Sequence, residues 1–287
     1  MWVGYAFGSA IFAALTAILA KIGIRKVDST VATALRTVVV LVFAWLVVFI
    51  VGSQGQIGSL SAKTWTFLIL SGLATGASWL FYFKALQLGD VNKVTPVDKS
   101  SVVLTMLLAV IFLGEPLTTT KALGLVLIAI GTYLMIELKK GRVGGRHKGN
   151  AWLVYAALSA LFAALVAILG KVGIEGVESN LGTALRVVVV LFMSWIMVMV
   201  AGKTADVRKI DTRSMVFIVL SGVATGLSWL CYFRALQEGP ASVVVPIDKL
   251  SIVLTVLFSY LVLRERLHRR SIVGLVTIVA GTLVLLV

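Results

Sequence analysis

The sequence predicts an all-α polytopic membrane protein with ten transmembrane helices arranged as two inverted-topology five-helix repeats. Three observations carry that expectation. Of the 287 residues, 60% are hydrophobic and 13% charged, with a mean hydropathy of +1.05, whereas soluble domains carry about 25% charged residues. The apolar residues fall into runs of about 20, the length that a hydrocarbon core of about 30 Å requires. Finally, the second half lies over the first without a gap, Ala151 on Met1, and about 62 of the 137 aligned positions are identical.

The runs place spans near 2–22, 30–51, 64–87, 91–113 and 119–137, then 152–172, 180–201, 214–237, 241–263 and 271–287. The units are 1–138, a basic Gly-rich linker 139–150 ("KKGRVGGRHKGN", Lys139 to Asn150), and 151–287. "SGLATGASWLFYFKALQLG" at 71–89 lies over "SGVATGLSWLCYFRALQEG" at 221–239, and "TALRTVVVL" at 33–41 over "TALRVVVVL" at 183–191. A recent duplication fits this identity, and so does a sequence engineered or reconstructed from one five-span unit. The first run lacks a basic leader and recurs at Ala151–Gly170, so it reads as a retained span rather than a signal peptide.

Five spans per unit is an odd number, so the second unit must enter the membrane from the opposite side. The basic residues agree. Arg25 and Lys26 follow span 1, but Glu175 and Gly176 follow span 6; Lys63 alone follows span 2, but Lys203, Arg208, Lys209 and Arg213 follow span 7. Sorting all 26 Lys and Arg residues gives about 17 on the linker side, about three on the other, and six within spans. The linker is therefore expected in the cytoplasm, both termini outside, and the protein in the cytoplasmic membrane. The net charge of +14 is this positive-inside bias, not a nucleic-acid face.

Inside the spans lie Lys21, Arg36, Lys99 and their copies Lys171, Arg186, Lys249, with Asp98 and Asp248. Charge at such depth faces a cavity or a partner. Arg36 and Asp98 each lie about 10 Å from the same face at 1.5 Å per residue, so depth allows an ion pair, mirrored by Arg186 and Asp248, while helix rotation is left open by the sequence. Structural pairing and a working role both stay open for these, and for the lysines so does snorkelling to the headgroups. Pro96 and Pro246, two residues before each Asp, either break a span or begin it. Gly72 with Gly76, and Gly222 with Gly226, have the spacing of close helix packing. Trp79 with Tyr82, and Trp229 with Tyr232, share helix faces and serve either an interfacial belt or a substrate path. Gln87 and Gln237 sit at span ends.

The lone Cys231 excludes an internal disulfide. There is no metal-ligand spacing, no phosphate-binding loop, and both histidines, His147 and His268, lie in basic loops. Neither an enzyme nor a cofactor is expected.

The sequence resembles the drug/metabolite transporter superfamily, EamA-type, through "ATALRTVVV", "SWLFYFKALQLG", "VTPVDKSSVVLTMLLAVIFLGE" and "GLVLIAIGTYL", and through "VVPIDKLSIVLTVLFSYLVLRE" in the second half. Each half is most similar to the stand-alone five-span members that pair as antiparallel dimers. The resemblance implies a carrier whose cavity is lined by spans 1–4 and 6–9, with spans 5 and 10 peripheral. Ten-span relatives are drawn with cytoplasmic termini, and the charges here place the termini outside. Glu115 in "LGEP" fits the family pattern, whereas its copy Glu265 stands in "LRER". The expected function is alternating-access transport of a small metabolite, an amino acid or organic anion, with the bilayer and a solute as partners and protons as a candidate coupling ion. A lipid or lipid-linked sugar flippase and a non-transporting inverted-repeat scaffold are the alternatives.

Overall fold

In the computed structural model, residues 1–23, 27–88, 94, 97–98, 100–135, 151–263 and 269–287 are described, and their regular structure is helical throughout. Pro96, Lys99, Glu265, both histidines and the 139–150 linker lie outside the described residues, as do the side chains of Lys21 and Gln87. The helices are α1 (Trp2–Gly23), α2 (Ser29–Val51), α3 (Ala62–Leu88), α4 (Ser101–Leu113) and α5 (Thr119–Met135) in the first half. The second half has α6 (Ala151–Gly173), α7 (Ser179–Val200), α8 (Thr212–Glu238), α9 (Ala241–Lys249), α10 (Ser251–Leu263) and α11 (Arg269–Val284). Seven helical stretches among the described residues are long and apolar enough to cross a membrane, the seventh running from Ala241 to Phe258. Three apolar helices, Ser101–Leu113, Thr119–Leu134 and Ile272–Val284, are shorter.

Capping residues fix where several helices begin. Asp28 Oδ1 accepts from the N–H groups of Thr30 (2.9 Å) and Val31 (3.4 Å), and its counterpart Glu178 accepts from Leu181 N–H (3.0 Å). These carboxylates satisfy donors that the first helical turn leaves unpaired. Asp211 does the same for α8 through Ser214 N–H (3.1 Å).

The sequence-predicted span 241–263 consists of two helices that meet at Leu250. Pro246 lies inside α9 and has no N–H to give the preceding turn. One turn later Leu250 N–H bonds Ile247 carbonyl (2.9 Å), a tighter three-residue closure that ends α9. Near the equivalent point of the first half, α4 starts at Ser101, and Ser100 folds its N–H (3.2 Å) and its hydroxyl (2.6 Å) onto Val97 carbonyl.

Polar residues join the halves. Ser71 Oγ on α3 donates to Val166 carbonyl on α6 (3.0 Å), and Ser78 Oγ donates to Ser159 carbonyl (3.1 Å), so these helices run antiparallel. The equivalent bonds recur between α8 and α1: Ser221 Oγ to Thr16 carbonyl (3.1 Å) and Ser228 Oγ to Ser9 carbonyl (3.1 Å). Helix α3 lies parallel to α7, with Gly72 beside Val189 and Gly76 beside Met193; α8 lies parallel to α2, with Gly222 beside Val39 and Gly226 beside Phe43. Helices α5 and α11, equivalent in sequence, pack on each other antiparallel, Gly124 against Leu285 and Gly131 against Ile278.

These pairings define two faces of the bundle. At one, the end of α2 meets the start of α7 through Gln56 Oε1 and Glu178 N–H (3.2 Å), and Lys63 pairs with Glu175 (3.2 Å). At the other, Lys203 lies 3.9 Å from Asp28 and 3.7 Å from Asp206. A hydrogen bond from Lys209 (3.0 Å) holds the Asp206 carboxyl below the usual carboxylate range.

The glycine contacts differ in kind. A Cβ on Gly72 meets Val189 Cβ at 2.6 Å and Arg186 carbonyl at 3.0 Å, whereas one on Gly226 meets the Phe43 ring edge at 2.7 Å. A ring edge can turn aside and a backbone carbonyl cannot. Gly72→Ala is expected to lower the thermal unfolding midpoint in detergent, costing about 1–3 kcal/mol as overpacking. In Gly226→Ala the helix-propensity gain of about 0.5–1 kcal/mol offsets the smaller clash, leaving stability near wild type. Equal midpoints for the two variants would contradict this ranking.

Candidate functional site

A cavity of about 330 Å³ lies between the halves. Thr75, Ser78 and Trp79 reach it from α3, Arg186 from α7, Ser228, Trp229, Tyr232 and Phe233 from α8, and Asp248 and Lys249 from the end of α9. Most of these positions are polar or aromatic, in helices that are otherwise apolar.

Arg186 is 1% exposed. Its Nη2 donates to Thr75 Oγ1 (2.8 Å) and its Nε to Ser71 Oγ (3.3 Å). The guanidinium stacks 4.4 Å from the Phe233 ring centre and 5.2 Å from that of Trp229, an attraction that strengthens when water is excluded. Asp248 Oδ1 accepts from Ser9 Oγ (2.6 Å), and its Oδ2 lies 3.5 Å from Lys249 Nζ. Lys249 keeps 47% of its side chain exposed.

The ion pairs that depth allows are a correction. Arg186 donates to two hydroxyls and not to Asp248, and Asp98 Oδ1 accepts from Ser159 Oγ (2.8 Å) and not from Arg36. Arg36 has no carboxylate partner among the described residues. The helices are rotated so that each Arg and its Asp point to different neighbours. Each Asp instead takes a serine from the opposite half: Asp98 takes Ser159, and Asp248 takes its counterpart Ser9.

Trp79, Trp229 and Tyr232 line the cavity, whereas Tyr82 packs in a separate cluster with Ala85, Val94 and Ala156. Gln237 Nε2 donates to the carbonyls of Ile174 (2.7 Å) and Val177 (2.6 Å), tying α8 to the α6–α7 turn.

Sequence reasoning passed over Ser9, Ser78, Ser159 and Ser228, whose only signal was a polar residue repeated at matching positions within apolar runs. It also missed a buried cluster at the Gln56 face. Gly114 ends α4 in the left-handed region (φ 64°), and Glu115 N–H closes back on Ala109 carbonyl (3.3 Å). The Glu115 side chain, 9% exposed, then caps α9. It accepts from Ala241 N–H (2.6 Å), Ser242 N–H (3.1 Å) and Ser242 Oγ. Lys121 lies 3.7 Å away and Lys171 4.0 Å, while Lys171 also donates to Gly239 carbonyl. Lys171 thus ends in this cluster, at the last turn of α6. The carboxylate meets both the unpaired N–H groups and the positive end of α9. No group of His, Cys, Asp and Glu among the described residues has the arrangement of a metal site.

The EamA-like transporter family model matches residues 1–137 and again 150–287. The chain belongs to the EamA-like transporter family. Among the relatives of this EamA-like protein, an uncharacterized transporter of Sinorhizobium sp., named from the region 3′ of cobO, is 47% identical over 134 residues, which are 47% of this chain and 95% of that protein. An uncharacterized protein of Methanocaldococcus jannaschii is 29% identical over 100 residues, 32% of this chain and 73% of that one. A crystal structure with 17% identity shares the fold over 99% of this chain and 96% of its own, with a TM-score of 0.79.

The Glu115 cap yields a direct test. Glu115→Gln puts an amide where three donors converge, and is expected to cost about 1–3 kcal/mol through groups left unpaired. Ser242→Ala removes one partner at an accessible cost of about 1 kcal/mol. Thermal unfolding in detergent, followed by circular dichroism, should rank wild type above Ser242→Ala and that above Glu115→Gln.

Proposed function

We propose that this EamA-like membrane protein is a secondary transporter that moves a small metabolite, an amino acid or organic anion, by alternating access. One observation carries the reading: a cavity within the bundle bordered by Arg186, Asp248 and Lys249. Charge in such a core is expensive to keep, and a transported solute gives it a purpose.

We further infer ten spans in two inverted five-span repeats, 1–138 and 151–287, with the linker cytoplasmic and the termini outside, in the cytoplasmic membrane. The charge sorting favours this arrangement, as do the reciprocal bonds of α3 with α6 and α8 with α1. The half-length relative supports two fused units. Inverted repeats give a carrier two conformations of similar energy, because each half can take up the shape of the other. In the conformation described, the Glu115 cluster holds the start of α9 against the ends of α4 and α6. In the opposite conformation this seal opens, and Asp248 and Asp98 change partners.

The test is solute flux in proteoliposomes, screening amino acids, organic anions and cations, with and without a proton gradient. Saturable flux is expected from the wild type. The Asp98→Asn/Asp248→Asn double variant should lose at least about tenfold of it while remaining monodisperse, since each Asp holds a charged, hydrogen-bonded site. Absence of flux for every solute, with variants that only melt earlier, would remove the transporter reading and favour a lipid substrate or a scaffold.

A further inference from the structure

Among the described residues, the charges around the cavity do not cancel. Arg186 and Lys249 contribute two positive charges and Asp248 one negative. Asp248 is engaged by Lys249 at 3.5 Å and by Ser9 at 2.6 Å. Arg186 faces neutral hydroxyls and aromatic rings, and its Nη1 has no hydrogen-bond partner among the described residues. A buried guanidinium with donors left over is a vacancy for an acceptor of opposite charge.

We propose that Arg186 Nη1 anchors the carboxylate of a small organic monoanion, whose apolar body lies against Trp79 and Trp229. The inference rests on the transporter reading for its purpose and narrows the substrate of that same cavity. Ring contacts occupy the faces of the guanidinium, and Ser71 and Thr75 take Nε and one Nη2 proton. What remains is the in-plane end of the fork, the geometry that receives a carboxylate. Nη1 is buried in this conformation, so docking requires a neighbouring side chain to move aside.

Charge selects the ligand class. One net positive charge is neutralised by a monocarboxylate. A zwitterionic amino acid leaves it uncompensated, and its ammonium competes with Lys249 for Asp248. A phosphate monoester brings about −1.5 to −2 at pH 7 and overshoots. A cation adds to the imbalance. The volume of about 330 Å³ lies at the small end of the 300–1,000 Å³ range of ligand pockets.

The experiment is isothermal titration of the full chain in lipid nanodiscs with acetate, benzoate and phenylacetate, and with phenylacetamide, phenylalanine and phenyl phosphate as matched controls. Phenylacetate is expected to bind saturably, and phenylacetamide about tenfold to a hundredfold more weakly, because the amide loses a charge-assisted bond. Arg186→Lys should weaken phenylacetate by about the same factor, since an ammonium cannot reproduce the planar fork. The comparison of acid with amide needs no variant, so a misfolded Arg186→Lys does not blunt it. The proposal is overturned if the amide matches the acid, if phenyl phosphate or phenylalanine binds more tightly than phenylacetate, or if none of the three carboxylates binds. Proteoliposome flux separates the two readings. Carboxylate binding without flux keeps the subsite and removes the carrier, whereas flux of a neutral or cationic solute without carboxylate binding keeps the carrier and removes the subsite.

Discussion

A hydroxyl inside an apolar bundle has no water to bond, so its partner must come from the protein. For Ser9, Ser71, Ser78, Ser159, Ser221 and Ser228 the partner is on the opposite half. Ser78 Oγ donates to Ser159 carbonyl (3.1 Å), and Ser228 Oγ donates to Ser9 carbonyl (3.1 Å) in the equivalent place. Each such bond in a membrane contributes only about 0.6 kcal/mol on average, too little to hold a bundle alone. Its larger effect is on register. Slide α3 along α6 by one residue and several hydroxyls lose acceptors together.

That register decides where the charges go. Ser9 and Ser159, already fixed by their serine partners, are the donors that hold Asp248 and Asp98. The two carboxylates are therefore tied to the inter-half seams rather than to the arginines at matching depth. Arg186, relieved of Asp248, turns to Ser71 and Thr75 on α3, and Ser71 is itself one of the seam serines. The glycines complete the arrangement: with Gly72 lacking a side chain, the α7 backbone at Arg186 comes close to α3. Seam, carboxylate and arginine form one connected set, and the cavity is the space it encloses.

Family, the membrane setting and the duplicated halves were legible in the sequence, because composition, run length and a repeat of "SWLFYFKALQLG" survive without coordinates. The close-packing glycines were visible for the same reason: a four-residue spacing puts both on one helix side. What the sequence left open was rotation. Depth follows from counting residues at 1.5 Å each, but the direction in which Arg186 or Asp248 points depends on which helices flank it. Glu115 was read as part of a family pattern and not as a cap, because its three donors come from 126 and 127 residues further along the chain. The join at Leu250 was foreshadowed by Pro246, although the break falls a turn after the proline rather than at it.

The two halves share most of their core and differ in how their ends are chemically equipped. Around the Glu115 cap, Gly114 supplies the left-handed turn, Lys121 and Lys171 supply cations, and Ser242 supplies a hydroxyl and an N–H. At the matching positions of the other half the sequence reads Arg264, Ser271, Lys21 and Asn92. Only the lysine equivalent to Lys171 is retained. An arginine takes the left-handed conformation far less readily than glycine, and Ser271 brings no charge to a carboxylate. If the proposed opposite closure used those positions, it would be built from different groups and would differ in strength from the Glu115 cap, even with interchangeable helices. For an inverted-repeat carrier, a bias of about 1.4 kcal/mol between the two closures shifts the ratio of the two conformations tenfold. Under the proposed alternating-access reading, the resting conformation would thus be set by a few end residues, where the halves have diverged, and not by the duplicated core, where they have stayed alike.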